Sequence, residues 1–219
     1  MAAPYRNRAI AGLVLVEKVK ALNLAESPLI LAIPNGGIAV AVQLAQELKA
    51  ELDILIVRKL QIPYNPEAGF GAVTSLGTVL LNEELLVHLG LDKPQIDSVI
   101  EKTRVQIETR KKAYAELTGR HTPEKRIVIL VDDGLASGYT MLAAIRSVRE
   151  LSPKRIIVAV PTASAVAASR MREVADDLIC PHIGSAYIFA VADAYQDWYD
   201  VSDDEVIQLL HTFLKKKGE

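Results

Sequence analysis

The stretch Arg126–Thr140 reads R-I-V-I-L-V-D-D-G-L-A-S-G-Y-T, and its reading decides the fold. Ile127 to Val131 is an unbroken aliphatic and β-branched run, the pattern of a strand buried on both faces of a parallel sheet. Asp132 and Asp133 stand where that strand ends. A short loop with Gly and Ser follows, and M-L-A-A-I-R-S-V-R-E then reads as an amphipathic helix. Ligands of open α/β sheets sit outside the carboxyl ends of the strands. A loop that opens a helix there offers unpaired N–H groups and a dipole to an anion. Adjacent carboxylates can accept hydrogen bonds from vicinal hydroxyls or attract a divalent cation. A diol acceptor beside a phosphate site suits a phosphorylated sugar. The rival reading is a Rossmann-like strand whose acids only cap the next helix.

Upstream of this stretch, Leu29 to Ile33 is a short apolar strand, followed by Pro34-Asn35-Gly36-Gly37 and a helix from Ile38 to Lys49. Glycine lets backbone amides approach an oxyanion closely, so this turn is a second anion site in principle. Leu52 to Val57 reads as the next strand, ending in Arg58-Lys59, a guanidinium fork beside a point charge. Leu60 to Phe70 has turn composition. It leads into a hairpin, Gly71 to Ser75 and Thr78 to Leu81, so residues 59–81 form a loop plus hairpin. Asn82-Glu83-Glu84 caps a short helix, and Asp92-Lys93-Pro94-Gln95 opens a longer one to about Leu117, giving a helical arm over 82–118. At the start of the chain, Tyr5 to Leu24 reads as a helix whose apolar face holds Ile10, Leu13, Val14, Val16, Val19 and Leu22.

Downstream, Arg155 to Val160 is another Val/Ile strand, followed by a small-residue helix from about Ser164 to Val174 and a strand over Asp177–Cys180. Asp176-Asp177 precedes a strand, away from the ligand end, and reads as structural. The pattern changes over residues 181–201, which read as a small hood. There Phe189, Tyr195 and Trp198 either stack a planar base or fill the core beneath the last helix. Ser202-Asp203-Asp204-Glu205 is a capping box for a terminal helix to about Lys215. Strands alternating with helices predict an α/β fold over 1–219, a mainly parallel sheet flanked by helices in a single domain.

The chain has 25 basic and 27 acidic residues among 219, a net charge of −2, without the basic excess of a nucleic-acid binder. No signal pattern and no apolar run of bilayer length is present. The lone Cys180 excludes an intrachain disulfide framework and fits a reducing cytoplasm. His88, His121, His182 and His211 are scattered without metal-ligand spacing.

At V-I-L-V-D-D-G-L-A-S-G-Y-T-M, Val128–Met141, the chain resembles the phosphoribosyl pyrophosphate (PRPP) motif of the type I phosphoribosyltransferases. The resemblance implies that family's fold, with a flexible loop and a C-terminal hood. It also implies that Asp132 and Asp133 hold the ribose 2′- and 3′-hydroxyls and an Mg²⁺ ion, directly or through water. Gly134 and Leu135 lead into the loop Ala136, Ser137, Gly138, Tyr139 and Thr140, which wraps the 5′-phosphate. Asn35, Gly36 and Gly37 correspond to the pyrophosphate loop, and Arg58 and Lys59 to cations near the pyrophosphate. Lys59 joins the two acids as a catalytic residue. The flexible loop closes over bound PRPP, and Glu67 within it either assists or is a solvated acid. The implied reaction displaces pyrophosphate from C1 of PRPP by a nitrogen acceptor, with a nucleobase expected, and a homodimer is expected too. Ala-Ser-Gly-Tyr-Thr-Met is similar to the Ala-Thr-Gly-Gly-Thr-Met of adenine enzymes, whereas oxopurine enzymes carry Asp where this chain has Ala136.

Two positions depart from the pattern. Gly134 stands where many members carry Val, Ile or Leu. Asn35 stands where relatives usually carry Arg, so the loop should grip pyrophosphate less tightly and Asn35→Arg should tighten it. The alternative function is a PRPP- or nucleotide-binding regulatory protein on the same fold without the chemistry.

Overall fold

In the computed structural model Ile127–Val131 forms a fully buried strand at the centre of a five-stranded parallel sheet. The structure describes residues 3–185 and 189–218, with the backbone alone at 66, 67 and 217. In chain order the first elements are α1 (Arg8–Lys20), β1 (Leu29–Ala32), α2 (Gly36–Glu47), β2 (Glu51–Ile54), β3 (Val57–Ile62), β4 (Asn65–Thr74) and β5 (Val79–Leu81). Next come α3 (Glu83–Leu89), α4 (Lys93–Ala113), β6 (Ile127–Val131), α5 (Tyr139–Arg149), β7 (Arg155–Ala159) and β8 (Thr162–Ser164). The chain closes with α6 (Ala165–Val174), β9 (Asp177–Ile179), β10 (His182–Gly184) and α7 (Asp203–Gly218). Among the described residues no helix is long and apolar enough to cross a membrane.

The sheet order is β2-β1-β6-β7-β9. Side chains alternate across it, as strand geometry requires. Leu29, Leu31, Val128, Leu130, Ile156 and Val158 pack on α5 and α6. Ile30, Ile127, Ile129, Val131 and Ile157 pack on α1, α2 and α7. Aliphatic residues at every position of β6 are therefore the consequence of a sheet covered on both faces. From β1 the chain passes outward through α2 to β2; from β6 it passes the other way through α5 to β7. The carboxyl ends of β1 and β6 thus flank a topological switch point, where the loops part and leave a crevice. Pro34–Gly37 and Asp132–Thr140 are those two loops.

Three sequence expectations need correction. The buried face of α1 is Ala11, Gly12, Leu15, Val16 and Val19, while Ile10, Leu13 and Val14 are 44%, 42% and 36% exposed. The small residues decide it: a Cβ on Gly12 would lie 2.7 Å from the Val40 carbonyl of α2, so this face lets the two helices approach closely. Second, the strand expected over Leu52–Val57 is two elements, because β2 ends at Ile54 and β3 starts at Val57. Arg58 and Lys59 lie inside β3, not at the end of a core strand. Third, Leu60–Phe70 is largely strand: β3, β4 and β5 form an antiparallel ribbon with register shifts after Leu60 and Gln61. Ladder hydrogen bonds order a segment whose composition favours turns, a tertiary override of propensity. The helical arm matches its caps, Asn82 accepting from Leu85 N and Asp92 forming a capping box with Gln95.

Candidate active site

The site grows from the end of β6. Asp132 Oδ1 accepts from the Asp133 amide at 2.8 Å, which folds the acid pair onto its own backbone. Asp133 Oδ2 takes Arg8 Nε at 2.7 Å, and its carbonyl accepts the Tyr195 hydroxyl at 2.6 Å. Burial, and then the neighbouring Asp133 carboxylate, push Asp132 well above the usual carboxylate range. Negative charge is crowded here beyond what Arg8 relieves.

The loop that follows has its carbonyls tied down. Leu135 N donates to Thr162 O at 3.0 Å and Ser164 N to Leu135 O at 2.9 Å. Ser164 Oγ donates to Ala136 O at 2.6 Å, and Arg170 donates to Ser137 O while its guanidinium lies 4.6 Å from the Tyr139 ring. Gly138 turns the chain at φ +78° into α5, a conformation that favours glycine. Among the described residues no protein acceptor takes the Ser137 or Gly138 amide. These donors stand at a helix N-terminus. They line a cavity of about 520 Å³ together with Lys59, Gly69, Gly71 and Thr140. At Gly134 a Cβ would meet Val191 at 2.5 Å, so the hood fills the place where a larger side chain would stand.

The other loop is held differently. The Pro34–Asn35 peptide is cis. Asn35 Nδ2 points inward, to Val201 O at 2.7 Å and Asp203 Oδ1 at 2.9 Å. The same Asp203 oxygen accepts the Tyr114 hydroxyl at 2.7 Å and Arg110 at 3.0 Å. Asn35 is thus a clamp toward α7 and, through Asp203, α4, where the sequence pattern placed it at the anion loop. Gly36 and Gly37 lie against the acids: Cβ atoms there would stand 1.9 Å from Asp133 Oδ2 and 2.9 Å from Val131 O. Only residues without a side chain permit that contact.

Strand alternation separates Arg58 from Lys59. Lys59 lies over Gly69, where a Cβ would meet its Cγ at 2.2 Å, and faces the cavity of the Ala136–Thr140 loop. Arg58 is half-buried on the opposite face, and burial followed by the Arg110 charge lowers its pKa. The two cations therefore do not line the same cavity. Of the aromatic candidates, Tyr195 is buried and packs on Tyr5 and Trp198, with ring centroids 5.9 Å and 5.5 Å away. Trp198 lies 4.0 Å from the Arg8 guanidinium. Arg8 therefore lies over both rings, 5.6 Å from the centre of Tyr195 and closer to Trp198. Phe189 covers Gly184, where a Cβ would meet its ring at 2.5 Å. The side chain of Glu67 and the hood residues Ala186, Tyr187 and Ile188 lie outside what the structure describes.

Sequence reasoning missed Arg8, Arg110, Tyr114, Arg170 and Asp203. For Arg8 a signal exists. It falls in phase with Ala11, Gly12, Leu15 and Val19 on the buried face of α1, and a charge in such a stripe demands a partner. Asp176 and Asp177 hold Arg149 and Arg155, as a structural pair should.

The Phosphoribosyl transferase domain family model matches residues 15–198. Two Mycobacterium tuberculosis proteins (strains CDC 1551 / Oshkosh and ATCC 25618 / H37Rv), each named "Putative phosphoribosyl transferase", are 32% identical over 206 residues. The match covers 94% of this chain and 46% of theirs, so the chain spans about half the length of these curated relatives. The crystal structure of TT1426 from Thermus thermophilus has a TM-score of 0.79 at 33% identity and covers 97% of this chain and 99% of that one. Since the family match runs from α1 into the hood and includes both loops of the switch point, the chain belongs to the phosphoribosyltransferase family.

Proposed function

We propose that the protein binds PRPP with Mg²⁺ and transfers its phosphoribosyl group to a nitrogen acceptor, with a nucleobase as the acceptor class. The observation that carries this reading is the pairing, at one switch point, of a charge-crowded acid pair with a loop whose carbonyls are tied and whose Ser137 and Gly138 amides meet no protein acceptor among the described residues. Asp132 and Asp133 accept the ribose hydroxyls. The Ala136–Thr140 loop takes the 5′-phosphate on its amides, and the α5 dipole favours the anion. Lys59 reaches the same cavity as a point charge. The amides of Gly36 and Gly37, held against the acids, suit the pyrophosphate.

Among the described residues no three His, Cys, Asp or Glu side chains are placed to hold a metal by themselves. The acid pair nonetheless fits Mg²⁺, which binds through one or two carboxylates and completes its shell with phosphate oxygens and water. Bound there, Mg²⁺ would neutralise charge on the acids and on the departing pyrophosphate. The work of the chain is then to align C1 with the acceptor and to exclude water, with the β3–β5 ribbon as the element beside the cavity.

Calorimetry with Mg²⁺-PRPP tests the reading, followed by pyrophosphate release across a panel of nucleobases. Binding of PRPP at micromolar concentrations and turnover of adenine in preference to hypoxanthine are expected, since Ala136 has no proton to transfer. Absence of PRPP binding overturns the function. Efficient turnover of hypoxanthine with adenine inert overturns the acceptor class.

A further inference from the structure

Arg8 is 7% exposed, and a cation so placed needs fixed partners. Its Nε donates to Asp133 Oδ2 at 2.7 Å and its Nη1 to the Tyr199 carbonyl at 2.9 Å. The guanidinium lies 4.0 Å from the Trp198 ring centre and 5.6 Å from those of Tyr195 and Tyr199. A Cβ on Gly36 would stand 3.0 Å from Arg8 Nε. One side chain therefore meets the acid pair, the glycine loop and the hood.

We propose that Arg8 is a positioning residue for PRPP binding, fixing the Asp133 carboxylate for the ribose diol and linking it to the hood through Trp198. The proposal rests on the function given above. Arg8 lies before residue 15, where the family match begins, so the match itself assigns it no role. Three constraints make it more than a core ion pair. Arg8 holds one oxygen of Asp133, which sets the rotamer of the carboxylate that would meet the diol. Its planar fork is held by three aromatic rings and a backbone carbonyl, so the orientation is preset and little is lost on binding. Its location against Gly36 puts a positive charge beside the loop that carries Asn35 in place of Arg. Helix α1, whose first residue is Arg8, is by this reading part of the site.

The test is a double-mutant cycle on Mg²⁺-PRPP affinity with wild type, Arg8→Gln, Asp133→Asn and the double variant, alongside Arg8→Lys. Arg8→Gln should weaken binding at least tenfold, and Arg8→Lys should recover part of that loss. With Asp133→Asn already present, Arg8→Gln should cost less than about threefold, because a residue acting through Asp133 has nothing left to position. Trp198 is the chain's one tryptophan, so its emission reports on the hood. Emission should respond to Mg²⁺-PRPP in wild type and much less in Arg8→Gln. Equal affinity of Arg8→Gln and wild type overturns the proposal, as does an equal loss in both backgrounds, which marks a structural role. If Arg8→Gln does not fold, the cycle run with Arg8→Lys decides by the same criterion. A wild type that binds no PRPP overturns the proposed function and this role with it. That result is distinct from a wild type that binds while Arg8→Gln binds equally well.

Discussion

The two loops at the switch point are built on opposite plans. Asp132–Thr140 is anchored through its carbonyls, by Ser164 and Arg170, and leaves amides and a crowded acid pair facing the crevice. Pro34–Gly37 is anchored through a side chain, with Asn35 reaching away from the crevice to Val201 and Asp203. Each loop contains a carboxylate hub, or touches one, and the two hubs differ. Asp132 is half-buried beside like charge and its pKa is raised. Asp203 gathers Tyr114, Asn35 and Arg110 on one oxygen; although its burial works against ionisation, those donors prevail and its pKa is lowered. The proposed binding chemistry sits where electrostatics is unfavourable, and the clamp sits where it is satisfied.

The largest break in this comparison is Gly36→Ala. A methyl group placed 1.9 Å from Asp133 Oδ2 cannot be accommodated by a flexible chain end, because that carboxylate is held by Arg8. Overpacking of this kind costs about 1–3 kcal/mol. PRPP affinity should fall more than a hundredfold as the acid is displaced, which calorimetry and a thermal melt on the same variant would read. A variant of wild-type stability and affinity would show that the two loops do not touch as described.

Asn35→Arg sharpens the clamp half of the comparison. On sequence alone it should tighten pyrophosphate binding. The contacts of the side chain give a different expectation: the replaced amide makes two hydrogen bonds, and a larger cation must enter a site already holding Arg110. Loss of two such bonds predicts a destabilisation of about 1–3 kcal/mol, with pyrophosphate affinity unchanged or weaker. Tighter pyrophosphate binding at undiminished stability would return Asn35 to the anion site.

The smallest effects are in the pH dependence, where the two hubs should move oppositely. A carboxyl whose folded pKa is raised favours the fold below its unfolded value, about pH 4, and that contribution is lost as pH rises through the folded pKa. Asp132→Asn should therefore melt higher than wild type at neutral pH without Mg²⁺, by roughly 2–4 °C per kcal/mol relieved, and the gap should close toward pH 4. Asp203, lowered, stabilises above about pH 4 and loses that contribution as pH falls through its folded pKa. Asp203→Asn should melt lower at neutral pH and converge with wild type in acid. Melting curves from pH 3 to 8 give both. Shifts of the same sign would mean that the two carboxylates are not in contrasting environments.

Local order determined what was legible. The β6 run, the acids after it, the glycine turn into α5 and the caps Asn82, Asp92 and Ser202 are all set by residues within a few positions of one another, so period and turn chemistry suffice to read them. The central sheet and the Asp132–Thr140 loop follow from that information. What required the folded chain was every contact between distant segments. Arg8 and Asp133 are 125 positions apart, and Asn35 and Asp203 are 168 apart. No periodicity encodes such pairings, because they depend on which helix face the sheet buries and where the C-terminal segment returns. Packing of Gly12 on α2 chose the face of α1, and with it the inward direction of Arg8. Ladder pairing turned a segment of turn composition into the β3–β4 ribbon, and strand alternation then sent Arg58 and Lys59 to opposite faces. The sequence by itself determined the buried strand, the acid pair at its end and the glycine turn into α5. The tertiary structure alone decided which distant charges stand around them, since a buried ion takes its partner from whatever segment the fold brings within reach.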